Sequence, residues 1–269
     1  VVTALLLTTL FGSQQTALIR FQPVVGKTYR YRQTLTMEQS MPGRSPMGFT
    51  QNSDTEVKAL SRKAGLTTMT STVTRVKVEA AKGSPFAASA KEMEAAGKGS
   101  YRMVIDSSGR AVSVTTSGLS PMEKQMAKAF EQAMSGGAQG TLFPPHALRV
   151  GETWTTSFDM GKLMSGMAGP VEIKTLGSGK IPFTLKLLGI TGTGSNAVVR
   201  LGMAMKGSVT MLMGAKAEKM VLAVDGAGGG TYRLNDGQTL GMTMTSRSII
   251  SVAGTKLTQR MVVAMKPLP

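Results

Sequence analysis

From residue 28 onward the chain repeatedly alternates apolar and polar side chains. Tyr29, Tyr31, Leu35 and Met37 fall on one face while Arg30, Arg32, Thr34, Thr36 and Glu38 fall on the other, the two-residue period of a half-buried strand. Trp154, Thr156, Phe158 and Met160 repeat the scheme. Tyr101 to Ile105, then Asp106-Ser107-Ser108-Gly109, then Arg110 to Thr115 reads as a hairpin in which Gly109 supplies a positive φ. Asp225-Gly226 and Asn235-Asp236-Gly237 read as turns of the same kind. Strands linked so locally pair with their neighbours, so the sheet is expected to be mainly antiparallel.

Two stretches change period. Ser84 as a cap and Pro85 at the first helical position lead through Phe86, Ala90 and Met93 to Gly97, a stop. Ser120-Pro121-Met122-Glu123 is a capping box ahead of an apolar face made by Met122, Met126, Ala129, Phe130 and Ala133. The expected fold class is mainly β (α+β): curved antiparallel sheets in two similar halves, with short helices near 85–96 and 121–134.

The division into halves rests on repeated landmarks. Gly26-Lys27-Thr28-Tyr29 recurs as Gly151-Glu152-Thr153-Trp154, and Gly99-Ser100-Tyr101-Arg102 recurs as Gly230-Thr231-Tyr232-Arg233. The offsets are 151 − 26 = 125 and 232 − 101 = 131, far longer than solenoid periods of ~20–50 residues. Gln139 to Pro145 is the expected linker, because Pro144-Pro145 neither continues a helix nor donates to a ladder. The expected organisation is a signal-peptide remnant at 1–17, a first β-rich repeat at 18–138 and a second at 139–269.

The apolar run from Val1 to Phe11 has the character of an export-signal core and is shorter than the ~20 residues of a membrane anchor. Polar Gly12 to Gln15 follow as a cleavage region would, placing the cut between Ser13 and Ala17 and the protein in the periplasm or outside the cell. No transmembrane segment is expected in the mature chain. The sequence has no cysteine, which removes disulfides and thiolate metal sites.

Charge changes this picture little. The 31 Lys and Arg outnumber 15 Asp and Glu, for a net +16, but residues 1–135 carry 17 basic and 9 acidic side chains and residues 136–269 carry 14 and 6. Each half nets +8 with no concentrated stripe, and only 5% of residues are aromatic, so specific nucleic-acid binding is not expected.

Catalytic motifs fail on context. Gly192-Thr193-Gly194-Ser195-Asn196-Ala197 fits a relaxed dinucleotide pattern, but Val198 to Leu201 are strand formers where a helix is needed. Gly177-Ser178-Gly179-Lys180 lacks the hydroxyl after its lysine, where Ile181 stands. His146 is the only histidine, which leaves a Ser–His or metal scheme without partners. Glu152 and Asp159 flank the region of the only tryptophan and are the one carboxylate pair that could be imagined as a glycosidase couple. The expectation is a protein that is not an enzyme and carries no cofactor or metal.

The composition is unusual in its 21 methionines. Met203 and Met205, Met211 and Met213, and Met242 and Met244 each place two thioethers on one strand face. Such side chains fill a core, line a site for an apolar ligand, or bind Cu(I).

Taken together, the opening apolar run, Gly26-Lys27-Thr28-Tyr29-Arg30-Tyr31, Val104-Ile105-Asp106 with Gly109, and Pro144-Pro145-His146 followed by Val150-Gly151-Glu152-Thr153-Trp154 resemble a family of exported bacterial proteins of unknown function. The order of elements also resembles the curved sheets of LolA-type lipoprotein carriers, an architectural likeness. The resemblance implies a cell-envelope protein and no catalytic residues.

The function expected is non-enzymatic binding of an amphipathic, lipid-like or anionic envelope component. The lining would come from Tyr29, Tyr31, Leu35, Trp154, Phe158, Met203, Met205, Met242 and Met244. The alternatives are a structural or protein-interaction module without a ligand, and a methionine-rich Cu(I)-binding protein.

Overall fold

The computed structural model describes residues 15–80, 84–117, 143–167 and 171–269. The expected leader core Val1–Phe11, the expected helix at 121–134 and the first part of the expected linker lie outside these residues.

Among the described residues, alternation along the chain becomes fourteen strands. A short β1 (Thr16–Ala17) precedes a meander of β2 (Thr28–Ser40), β3 (Met47–Lys63), β4 (Leu66–Ala80), β5 (Ser100–Asp106) and β6 (Ala111–Ser117). After β7 (Leu148–Arg149) a second meander runs through β8 (Thr153–Asp159), β9 (Ile173–Leu176), β10 (Lys180–Thr191), β11 (Val198–Met213), β12 (Glu218–Arg233), β13 (Thr239–Val252) and β14 (Thr255–Pro267). Both meanders belong to one 12-stranded antiparallel sheet, in the order β6-β5-β4-β3-β2-β14-β13-β12-β11-β10-β8, with β9 on the far part of β11. The halves are joined where β14 pairs with β2 from Thr258↔Ser40 to Pro267↔Tyr31. Nearly every strand therefore pairs with its neighbours in sequence, the arrangement of an up-and-down barrel, but the sheet stays open, with β6 and β8 as its edges.

The sheet is strongly curved. Phe143 donates its N–H to the Ser108 carbonyl in the β5–β6 turn and also belongs to the core cluster of Leu187, Val199 and Leu201 on β10 and β11. In the strand order β6 and β11 are eight steps apart, which would be about 40 Å in a flat sheet. One residue reaches both only because the sheet curls.

Residues 15–23 and 143–150 plug one end of this curl. β1 pairs with β7, and Ala17, Ile19, Phe143 and Leu148 are buried against β10 and β11. Phe21 donates its N–H to Ser107, and the Arg62 guanidinium donates to the Pro23 carbonyl. Thr16 and Ala17, inside the expected leader 1–17, are thus part of the plug. Phe143 and Pro144, from the expected linker, are buried in it as well.

The helix expected near 85–96 is α1 (Pro85–Ala96). Ser84 Oγ accepts the Phe86 N–H, and Gly97 closes the last turn by donating to the Met93 carbonyl. Its apolar face, Phe86, Ala90 and Met93, covers Phe49, Val76 and Val78 of β3 and β4. A second helix, α2 (Met160–Met167), falls where alternation suggested more strand. Asp159 ends β8 and its carboxylate accepts the Lys162 N–H, so Met160 belongs to the helix and packs with Met164 on Ile181, Val209 and Met211.

Of the repeated landmarks, the first pair occupies like places and the second does not, since Tyr101 stands at the start of β5 and Tyr232 at the end of β12. Gly26 (φ 84°) and Gly151 (φ 90°) each enter a strand from a turn, and each donates its N–H to the following long strand, at Ala59 and at Leu187. The Asp106–Gly109 hairpin forms with Gly109 at φ 81°, held by the Asp106 carboxylate, which accepts from Ser108 and Arg110. The turn at 235–237 forms too, with Gly237 at φ 66°. Asp225-Gly226 does not turn; it lies within β12, opposite Arg247 and Ser246 of β13. The dipeptide needs a chain reversal around it to act as a turn, and here both neighbouring ladders continue past it.

Instead, the glycines of β12 let the sheet pack its backbones closely. A Cβ on Gly228 would overlap the Thr243 carbonyl oxygen and sit 2.7 Å from the Met244 Cα, whereas one on Gly241 would meet only Thr231 Oγ1 at 3.6 Å. Gly228→Ala is expected to cost about 2–3 kcal/mol, because backbone must move. Gly241→Ala should stay within about 0.5 kcal/mol. Urea denaturation midpoints of the two variants check this pair.

Candidate functional site

The ladders assign every strand residue to one of two faces. Leu35 faces Val263, which faces Met244, then Gly228, Met203, Leu185 and Trp154 in one continuous row across seven strands. In the other direction Leu35 faces Gln51 and then Val78. The neighbouring row holds Gln33, Met265, Met242, Gly230 and Leu201. Tyr29 and Tyr31 share this side of β2, Phe158 shares it on β8 opposite Ile181, and Met205 shares it on β11. All nine residues expected to line a site therefore stand on a single face, the one that carries the plug, α1, α2 and the three buried clusters.

They do not stand there equally. Tyr29 is buried and its phenol is spent: the O–H donates to Asp236 Oδ2 at 3.3 Å and the oxygen accepts the Val24 N–H at 2.9 Å. Met203 is buried under the plug, where Trp154 also packs, its ring edge-on to His146 and its Nε1 without a hydrogen-bond partner among the described residues. Met205 packs beside α2's cluster. Leu35, Met242 and Met244 lie on or beside the middle strands β2, β13 and β14, and there the face is only half-buried. The plug covers mainly β10 and β11, α1 covers β3 and β4, and α2 covers the far ends of β11 and β12. Between them Met244, Met261 and Val263 are half-buried and belong to none of the three clusters; with Leu35 and Met37 beside α1's cluster and Ile250 beside α2's, they form a shallow trough that no described element seals.

This face is also almost free of charge. Along the twelve strands every Lys, Arg, Asp and Glu falls at an outward position except Arg62 and Glu218, which sit at strand ends. Polar side chains on the core face are neutral: Gln33, Gln39, Gln51, Gln259, Ser246 and Ser248. The outward rows carry the charge, as in Arg32–Asp54, paired at 2.7 and 2.8 Å, and Arg260–Glu38. A transmembrane barrel needs the reverse polarity, an apolar band outside. Among the described residues no helix is long and apolar enough to cross a membrane. Every methionine carried by a strand, from Met37 to Met265, points to the core face.

The plugged end is fastened by a buried carboxylate that the sequence presented only as part of a turn. Asp236, between β12 and β13, is 1% exposed and binds Lys27 Nζ at 3.3 Å, Arg233 at 3.6 Å, the Tyr29 hydroxyl and the Gln238 N–H. It thereby ties the entry of β2 to a turn some two hundred residues later. Nothing in the local sequence could reveal those partners. Burial pushes the Tyr29 phenol up, and pushes Tyr31 and Tyr232 up to about 12.

Glu152 and Asp159 do not form a couple. They stand at opposite ends of β8, about 20 Å of extended chain apart. Glu152 accepts the Arg149 N–H and lies 3.4 Å from His146, while Asp159 caps α2. The glycines at 192–194 turn from β10 into β11 through a single 3-10 turn, and Gly177 to Lys180 link β9 to β10.

No protein-family model matches the chain, and no curated protein sequence matches it. Among solved structures, lipovitellin, described for its lipid–protein interactions, is similar at 11% identity and a TM-score of 0.48 over 93% of this chain and 25% of that one. The chain thus spans a quarter of that lipovitellin chain. The LolA superfamily protein NE2245 from Nitrosomonas europaea is similar at 9% identity and a TM-score of 0.18, covering 90% of this chain and 87% of the other. A mutant porin of Rh. blastica is similar at 10% identity and a TM-score of 0.30 over 90% of this chain. Likenesses this loose transfer neither a ligand nor an activity.

Asp236→Ala is expected to destabilise by about 3 kcal/mol, since it strands buried partners. Glu38→Ala, which breaks only an exposed pair, should cost under about 0.5 kcal/mol. Thermal melts of both variants test the contrast. The tyrosines predict an alkaline limit. Their folded pKa values lie above the unfolded value near ~10, so the neutral form is favoured in the fold and stability falls as pH rises from about 10 to 12. Tyr232→Phe should flatten that fall, read as the pH dependence of the urea midpoint.

Proposed function

We propose that the chain is an exported, non-enzymatic binding protein of the bacterial cell envelope whose core face holds the apolar part of an amphipathic, lipid-like molecule. The observation that carries this reading is the shallow trough on β2, β13 and β14, which is apolar, free of charge and only half-buried where Met244, Met261 and Val263 lie between the covered flanks. A curled sheet of 12 strands supports it, because about eight already enclose as much space as their own side chains can fill. Methionine suits such a lining, since an unbranched thioether adapts to chains of varied shape. Catalysis has no comparable support: the imagined carboxylate couple is split along β8, and no cluster of three metal-ligating His, Asp or Glu occurs among the described residues.

A second reading rests on its own observation. Met242 faces Met265 and Met37 faces Met261 across adjacent ladders, which sets thioethers in opposed pairs of the kind a soft Cu(I) ion takes.

Native mass spectrometry of the purified chain after exposure to an envelope lipid extract, with Cu(I) in a parallel sample, separates the readings. Bound lipid is expected. Leu35→Glu should weaken it at least about tenfold, because a carboxylate would be desolvated in the trough, while outward Thr245→Glu should leave it unchanged. Stoichiometric copper with no lipid would favour the methionine site. Binding of neither would leave a packed interaction module.

A further inference from the structure

At the plugged end the core face holds a cavity of about 270 Å³ between β2, β3, β4 and the turn that carries Asp236. Two of its lining residues, Gln33 and Met265, sit one row from Leu35 and Val263 of the trough. Its lining mixes apolar Met69 and Met265 with neutral polar side chains, Gln33, Thr55, Ser71 and Thr239. The Gln33 amide and the Thr55 and Ser71 hydroxyls have no hydrogen-bond partner among the described residues. These groups offer both donors and acceptors, and half-buried polar groups without partners are completed by a ligand or by water.

The charges nearby are already committed. Asp236 is the only carboxylate in the lining, and its oxygens are taken by Lys27, Arg233, Tyr29 and Gln238. The remaining nearby cation, Arg62, binds Thr67 and the Pro23 carbonyl. None of the three cations lines the cavity. A charged head group would lose its hydration without touching a counter-charge, because Lys27, Arg233 and Arg62 stand outside the lining and Asp236 is neutralised by the first two.

We propose that this cavity receives an uncharged head group rich in hydroxyl or amide groups, with the attached apolar chain lying along Leu35, Val263 and Met244. The assignment rests on the trough reading and adds to it the class of head group. The outward charges of the strands take no part in this selection.

Three probes with one chain and different heads test it: 1-oleoylglycerol, oleate and oleylamine, competed in equal amounts at about pH 9, where both charged heads are substantially ionised. Occupancy is read by native mass spectrometry. The neutral probe is expected to bind about tenfold more tightly than either charged one, and Gln33→Leu combined with Ser71→Ala should erase that margin while oleate binding holds. Thermal melts confirm that the double variant is folded. Oleate or oleylamine binding as tightly as 1-oleoylglycerol would overturn the head-group assignment and leave the trough standing. So would a neutral preference that survives the double variant. Failure of all three probes to bind would overturn the trough reading and the assignment with it.

Discussion

The fold depends on the ladder between β14 and β2. These strands come from opposite ends of the described chain, and without their pairing the two meanders would be separate sheets, each with two open edges. The ladder also sets phase. Because side chains alternate, a slip of one residue between Val263 and Leu35 would turn the apolar face of one meander outward relative to the other. In the observed register Leu35, Val263, Met244, Met203, Leu185 and Trp154 share a row, and the charges of both halves point the other way. Asp236 reinforces the same junction by tying Lys27 and Tyr29 at the entry of β2 to the β12–β13 turn.

Once the halves are in phase, curvature does the rest. The glycines of β12 let β13 approach where a Cβ would collide with backbone, and the plug bridges strands that a flat sheet would hold far apart. The plug and the two helices bury the flanks of the core face. The middle is left with apolar side chains, Met244, Met261 and Val263, that are only half-buried. That unevenness, with three covered patches around a half-buried middle, is the physical basis of the binding proposal.

The same partition explains the basic charge. A net +16 suggests an anionic partner when read as a sum. The charges carried by the strands occupy the outward rows, apart from Arg62 and Glu218 at strand ends, several of them in cross-strand pairs such as Arg32 with Asp54 and Arg260 with Glu38. They keep the outer face in water and leave the core face electrically quiet.

What the sequence determined by itself is whatever depends on neighbours along the chain. Alternation at 29–37, the hairpin at Gly109, the cap at Ser84 and the stop at Gly97 were all legible, because each rests on a period, a φ angle or a backbone donor within a few residues. Alternation even sorted the nine candidate residues onto one face. It misjudged places where local signals conflict with longer contacts: Met160 continues the strand pattern but is claimed by a helix that Asp159 caps, and Asp225-Gly226 has turn chemistry inside a strand paired on both sides. Only the tertiary structure decided which of the nine are used up. Tyr29 is spent on Asp236 and Met203 lies under the plug, whereas Leu35 and Met244 remain half-open, because cover is supplied by segments remote in sequence. Periodicity tells which way a side chain points; what lies opposite it is set by the pairing of β2 with β14 and by the curl that follows.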